Sequence, residues 1–123
     1  MSSRRAYTDF LRDILDNIAR AQRFTDGLTL EQFSEDEKAM YATVRTLEIV
    51  GEATKRLPSA LRERQPSVPC SDLAGLRDVI IHQYDRVQMD RVWEAARVEL
   101  PALAPLISRL LEEELQREAE RED

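Results

Sequence analysis

Apolar residues recur at three- and four-residue steps along almost the whole chain, and no segment alternates as a strand would. Tyr7, Phe10, Leu11, Ile14, Leu15, Ile18 and Ala21 predict a first helix over about 6–26, stopped near Gly27. Residues 27–33 read as a connection. Ser34, with Glu37 three residues on, has the form of a capping box and predicts a second helix from there to about Leu57. Its stripe is Met40, Val44, Leu47, Val50 and Thr54. Pro58 ends that helix or opens a short third one through about Arg64. Residues 65–70 form a loop, because Pro66 and Pro69 cannot both sit inside a helix. Ser71 or Asp72 caps the next helix, with Leu73, Leu76 and Ile80 inward and a turn near Tyr84-Asp85. The last helix begins near Gln88. Its phase holds from Met89, Val92, Trp93 and Ala96 through Leu100, Leu103, Ile107, Leu110 and Leu111, across Pro101 and Pro105. This predicts a long helix kinked there, or two stacked helices. The expected fold class is all-α: an antiparallel four-helix-type bundle with an additional short helix and a kinked C-terminal helix.

With 123 residues, 3 glycines and 5 prolines, the chain suits one helical domain, taken as 1–118, followed by an acidic, frayed tail over 119–123. The single cysteine, Cys70, rules out a disulfide within the chain and a four-cysteine metal site. No apolar run reaches the ~18 residues a membrane span needs. The start, Met1-Ser2-Ser3-Arg4-Arg5, leads into an amphipathic stretch and not an apolar leader core, so a cytoplasmic location is expected. The net charge of −6 weighs against nucleic acid only at first sight. Residues 112–123 hold seven acids against Arg117 and Arg121, so most of the excess lies in what reads as a solvated helix end. That neither supports nor excludes an RNA site elsewhere.

His82 is the only histidine. Alone it would be read as structural or exposed, but Arg77 precedes it by five residues and Tyr84 follows it by two. Arginine offers a permanently charged planar fork to phosphate oxygens. Histidine moves a proton near neutral pH, and tyrosine supplies a hydroxyl. Together these groups suit metal-independent RNA cleavage. His82 would take the 2′-OH proton or protonate the leaving 5′-oxygen, and Arg77 would stabilise charge on the phosphoryl oxygens. The product would be a 2′,3′-cyclic phosphate. On an ideal helix, residues five apart diverge by about 140°. Arg77 and His82 therefore share a site only if the helix loosens near Ile81 or if the pair converges between two subunits.

The string Arg77-Asp78-Val79-Ile80-Ile81-His82-Gln83-Tyr84 resembles the R-x4-H-x-Y motif of the HepT-like branch of the HEPN family. The run Leu47-Glu48-Ile49-Val50-Gly51-Glu52-Ala53-Thr54-Lys55-Arg56-Leu57 is similar to that branch's second-helix pattern, and Val92-Trp93-Glu94 with Leu100-Pro101 to its last-helix pattern. The resemblance covers roughly residues 6–111. It implies a helical bundle that forms a homodimer with two motifs facing a shared cleft, and a ribonuclease toxin needing no metal or other cofactor. It also implies a partner, an MntA-like minimal nucleotidyltransferase antitoxin, which transfers AMP from ATP to the tyrosine of H-x-Y, here Tyr84. An anion attached there would occupy the charge meant for RNA. Asp78 fills the polar position after the arginine; it could orient Arg77 or His82, and would repel phosphate if unpaired. Glu52 is a family-level candidate for supporting the site.

Other features have plainer readings. Glu48 and Glu52 lie one turn apart, but pairing with Arg45, Lys55 or Arg56 outweighs a metal or general-base role. Met89 and Trp93 read as core, and Gly51 and Gly75 as points of close helix approach. Arg86 and Arg91 flank the motif and could meet RNA or the antitoxin. No glycine-rich phosphate loop, G-x-S-x-G, H-E-x-x-H or C-x-x-C occurs, which removes nucleotide hydrolysis, serine hydrolysis and zinc chemistry from contention. Two other function classes remain open: a non-catalytic partner of a nucleotidyltransferase with Tyr84 as acceptor, and a plain helical interaction module.

Overall fold

The computed structural model describes residues 7–66, 73 and 86–122, and among these there is no strand. Helix α1 spans Tyr7–Thr25. Its apolar face, Leu11, Ile14, Ile18 and Ala21, is almost wholly buried. Asp9 in the first turn and Arg23 in the last complement the helix dipole. The helix stops where the sequence predicts. Gly27 takes φ 78°, a left-handed conformation that glycine adopts without steric cost.

The next junction differs from the expectation. Residues 27–33 are not simply a connection, and Ser34 is not a cap. A short helix α2, Leu30–Glu35, intervenes, capped by Thr29. The Gln32 amide N–H donates to Thr29 Oγ1 at 3.1 Å, and the Thr29 N–H donates to Gln32 Oε1 at 3.0 Å, completing a capping box. Ser34 instead donates its hydroxyl to the Leu30 carbonyl at 2.9 Å. Two overlapping signatures competed, and burial decided between them: starting at Thr29 puts Phe33 fully inside the core. Helix α3, Glu37–Lys55, then takes Asp36 as its cap, with Asp36 Oδ1 accepting from the Ala39 N–H at 2.9 Å. Because α2 exists to carry Phe33, its cap has weight. Thr29→Ala should cost about 1 kcal/mol, read as a lower urea midpoint at unchanged slope. An unchanged midpoint would show that α2 forms without its box.

Pro58 opens the short helix α4, Ser59–Glu63. Its length of 5 residues is too short for a helix to hold itself together in water. Leu61, 3% exposed, ties it to the core.

The C-terminal part is one helical path. Helix α5, Arg86–Glu94, passes into a π-helical stretch, Ala95–Glu99, and then into α6, Leu100–Glu122. The Leu100 N–H reaches back to the Ala95 carbonyl, five residues away, so the turn is widened just ahead of Pro101. A π-bulge is one of the recognised causes of helix irregularity, and this one ends two residues before Pro101, the first of the two prolines at which the sequence predicts a kink. Pro105 sits inside α6 without ending it. The path stays helical through Glu122.

Helix α1 packs against α3 and α6. It runs antiparallel to the C-terminal path: Thr8 Oγ1 donates to Glu118 at 3.4 Å at one end, while Arg97 reaches Gln22 O and Thr25 Oγ1, both at 3.3 Å, at the other. The core lies between these helices, with Val44, Leu47 and Val50 from α3 meeting Met89, Val92, Leu100, Ile107 and Leu110.

Candidate functional site

Of the residues singled out in the sequence, Arg77, Asp78, His82 and Tyr84 lie outside the described residues, as do Cys70 and Gly75. What is described is how the chain is tied on either side of them. Leu73, four residues before Arg77, is helical and 4% exposed, in the core as the spacing predicted. After the string, Met89 and Val92 of α5 are 3% and 2% exposed. Met89 is thus a core residue, and Trp93 packs its ring on Phe33, with centroids 5.2 Å apart and planes tilted by 47°.

Glu52 sits on α3, partly exposed, with Arg56 Nη2 3.5 Å from its Oε1. Glu48 faces Arg45 at 3.6 Å. Both carboxylates therefore take the i,i+3 or i,i+4 arginine partners that the spacing allowed, and such exposed pairs contribute little stability. Arg91 hydrogen-bonds Glu99 across the π-helical stretch, so its charge is already partnered. Arg86 belongs to α5.

Three arginines that the sequence did not single out hold helix ends. Arg62 donates from Nε to Leu57 O at 3.2 Å and from Nη2 to Thr54 O at 2.8 Å, adding a side-chain donor to the carbonyls at and just past the end of α3. Arg97 donates from Nη1 to the Gln22 carbonyl and the Thr25 hydroxyl at the end of α1. Arg64, at the end of α4, donates from Nη1 to Glu114 Oε1 at 2.5 Å and from Nη2 to Glu113 Oε2 at 3.1 Å. Burial of the guanidinium works against its charge, but its hydrogen bonds and attraction to Glu114 and Glu113 outweigh this and raise its pKa above the ordinary arginine value. Glu114 is only 7% exposed. Most of residues 112–121 are exposed, as expected of a solvated helix end, but Arg64, some fifty positions earlier, draws in Glu113 and Glu114. A lone basic residue next to a helix end could have flagged Arg62; nothing local could have flagged Arg64.

An open groove of about 650 Å³ runs between α1, α4 and α6, past Tyr7, Pro58, Arg64, Glu114, Arg117 and Arg121, none of them a candidate site residue. Among the described residues, no group of three His, Cys, Asp or Glu side chains could hold a metal ion. No described helix is long and apolar enough to cross a membrane.

Residues 14–110 match the family described as Ribonuclease HepT-like, a span that holds most of the core and the whole Arg77–Tyr84 string. The chain belongs to the HepT-like family. Two proteins of Methanocaldococcus jannaschii, provisionally named RNases, are each 38% identical to it over 104 residues. The matched part takes in 85% of this chain and 86% or 90% of theirs. A HepT-like relative from Thermococcus cleftensis, named a probable ribonuclease HepT, is 34% identical over 81% of this chain and 91% of its own. No solved structure matches the chain.

Proposed function

We propose that this HepT-like protein is an endoribonuclease, the toxin of a bacterial toxin–antitoxin pair, acting in the cytoplasm as a homodimer without a metal. The observation that carries this reading is the family match, which encloses Arg77–Tyr84 and extends on both sides into helices with core positions. Its relatives' names point the same way.

In this reading Arg77 and His82 are catalytic. His82 accepts the 2′-OH proton or donates one to the departing 5′-oxygen. The 2′-oxygen attacks the adjacent phosphorus, the P–O5′ bond breaks, and a 2′,3′-cyclic phosphate and a 5′-hydroxyl result. Arg77 neutralises the charge that builds on the non-bridging oxygens. Two subunits bring the motifs to one cleft, which answers the divergence of Arg77 and His82 on a regular helix. Asp78 orients Arg77 or His82, and Glu52 supports the site from α3.

Control would come from an MntA-like nucleotidyltransferase antitoxin. The Tyr84 oxygen attacks the α-phosphorus of ATP and pyrophosphate leaves, so that AMP and its negative charge stand beside Arg77 and His82. Intact-mass measurement after co-expression with an MntA-like nucleotidyltransferase should show the chain heavier by one or more AMP units, and Tyr84→Phe should show no gain. Modified protein should lose RNA cleavage at least tenfold. AMP uptake by Tyr84→Phe would contradict Tyr84 as acceptor. Uptake on Tyr84 by a protein that never cleaves RNA would support the non-catalytic partner instead.

A further inference from the structure

We propose that the open groove between α1, α4 and α6 binds a small organic phosphate, with Arg117 and Arg121 holding the phosphate and Tyr7 the organic part. None of these residues is assigned to RNA cleavage, so the site stands whether or not the ribonuclease reading does.

Glu114, Arg117 and Arg121 follow one another at three- and four-residue steps, so they form one stripe of α6 along the groove. Glu114 is shared. One of its carboxylate oxygens accepts from Arg64 Nη1, and the other lies 4.0 Å from Arg121 Nη2. Glu113 takes Arg64 Nη2. These two carboxylates are thus engaged by Arg64, and the Arg121 side chain, 70% exposed, keeps only the distant contact. Its Nε donates to the Arg117 carbonyl at 3.4 Å, which lays it along the helix toward Arg117. The Arg117 guanidinium is exposed and has no partner among the described residues. Arg64 Nε, buried and likewise without a partner there, adds an unmet donor at the groove's edge. Against the two available cations the wall sets one further acid, Glu120. A single positive charge remains. That balance suits one phosphate, whose oxygens match the guanidinium fork. It does not suit a polyanion such as RNA, which Glu112, Glu118 and Glu122 on the same turns would repel. The other wall is apolar, from Pro58, Ala60 and Leu61, and Tyr7 stands half-exposed beside it with a ring face to stack on. At about 650 Å³ the groove falls within the ~300–1,000 Å³ of small-molecule sites, with room for more than the phosphate alone.

The test is a calorimetric titration of the full chain with phenyl phosphate and, separately, with inorganic phosphate. Phenyl phosphate should saturate one site with a Kd of about 1 mM or tighter. Inorganic phosphate, with no ring to set on Tyr7, should bind about fivefold more weakly. Arg117→Ala should weaken both by about tenfold, at an unchanged melting temperature, because its guanidinium holds no other part of the fold. Tyr7→Ala should erase the preference for phenyl phosphate. Glu120→Gln should tighten both about twofold by removing the opposing charge, a gain that a merely structural glutamate would not give. Arg12→Ala, on an exposed pair with Asp9 elsewhere on α1, should change nothing. No saturation by about 10 mM phenyl phosphate, or saturation that Arg117→Ala and Arg121→Ala both leave in place, overturns the proposal. A short RNA that binds through Arg117 where phenyl phosphate does not would also overturn it, and would make the groove an RNA contact.

Discussion

His82→Ala should lower RNA cleavage by about 10²–10⁴-fold, the range a positioned general acid–base group contributes. The loss should fall on kcat, since the imidazole acts as the proton moves and not when RNA binds. Growth arrest on expression should vanish with it. Circular dichroism and the melting temperature should stay close to wild type. His82 is the chain's only histidine, so no other imidazole can take over. Cleavage by the variant within threefold of wild type would remove His82 from the mechanism and leave Arg77 and Tyr84 as features of a binding surface.

The largest stability effect should come from Phe33→Ala. Phe33 is fully buried, rests against Trp93, and is the buried side chain through which α2 enters the core. Truncating a buried phenylalanine costs about 3–5 kcal/mol, a large share of the ~5–15 kcal/mol that holds a domain folded. The melting temperature should drop on the order of 10–20 °C, at ~2–8 °C per kcal/mol for domains near this size. Trp93 is the only tryptophan, so its fluorescence reports the same contact directly: its emission should shift to the red in the folded variant. A loss below about 1 kcal/mol with unchanged emission would mean that α2 does not pack as described.

These two expectations draw on different depths of the sequence. The first helix was legible, with its end placed to within about a residue, because its apolar period and Gly27 agree. The α2 region was not, because Thr29 and Ser34 both carry a capping signature and only the burial of Phe33 separates them. The C-terminal path kept its phase, so its continuity was readable. The widening between Ala95 and Glu99 was not, since the apolar phase does not register one widened turn. The acidic run is largely exposed, as read, but composition gives the charge of Glu113 and Glu114 and not the arginine that returns to them from fifty positions away. The site was legible as a string of residue types in an order shared with a family. Spacing by itself set Arg77 and His82 on different faces, and the placement of both lies outside the described residues.

The central claim is that Arg77 and His82 cleave RNA through its own 2′-hydroxyl. It is tested most directly by the chemistry of the cut ends. Purified unmodified protein is incubated with a defined RNA in excess chelator, and the products are resolved by mass. The account predicts 2′,3′-cyclic phosphate and 5′-hydroxyl ends, in equal amounts, with chelator present and none with Arg77→Ala or His82→Ala. Ends carrying a 3′-hydroxyl and a 5′-phosphate, or cleavage that returns only with added metal, would contradict it.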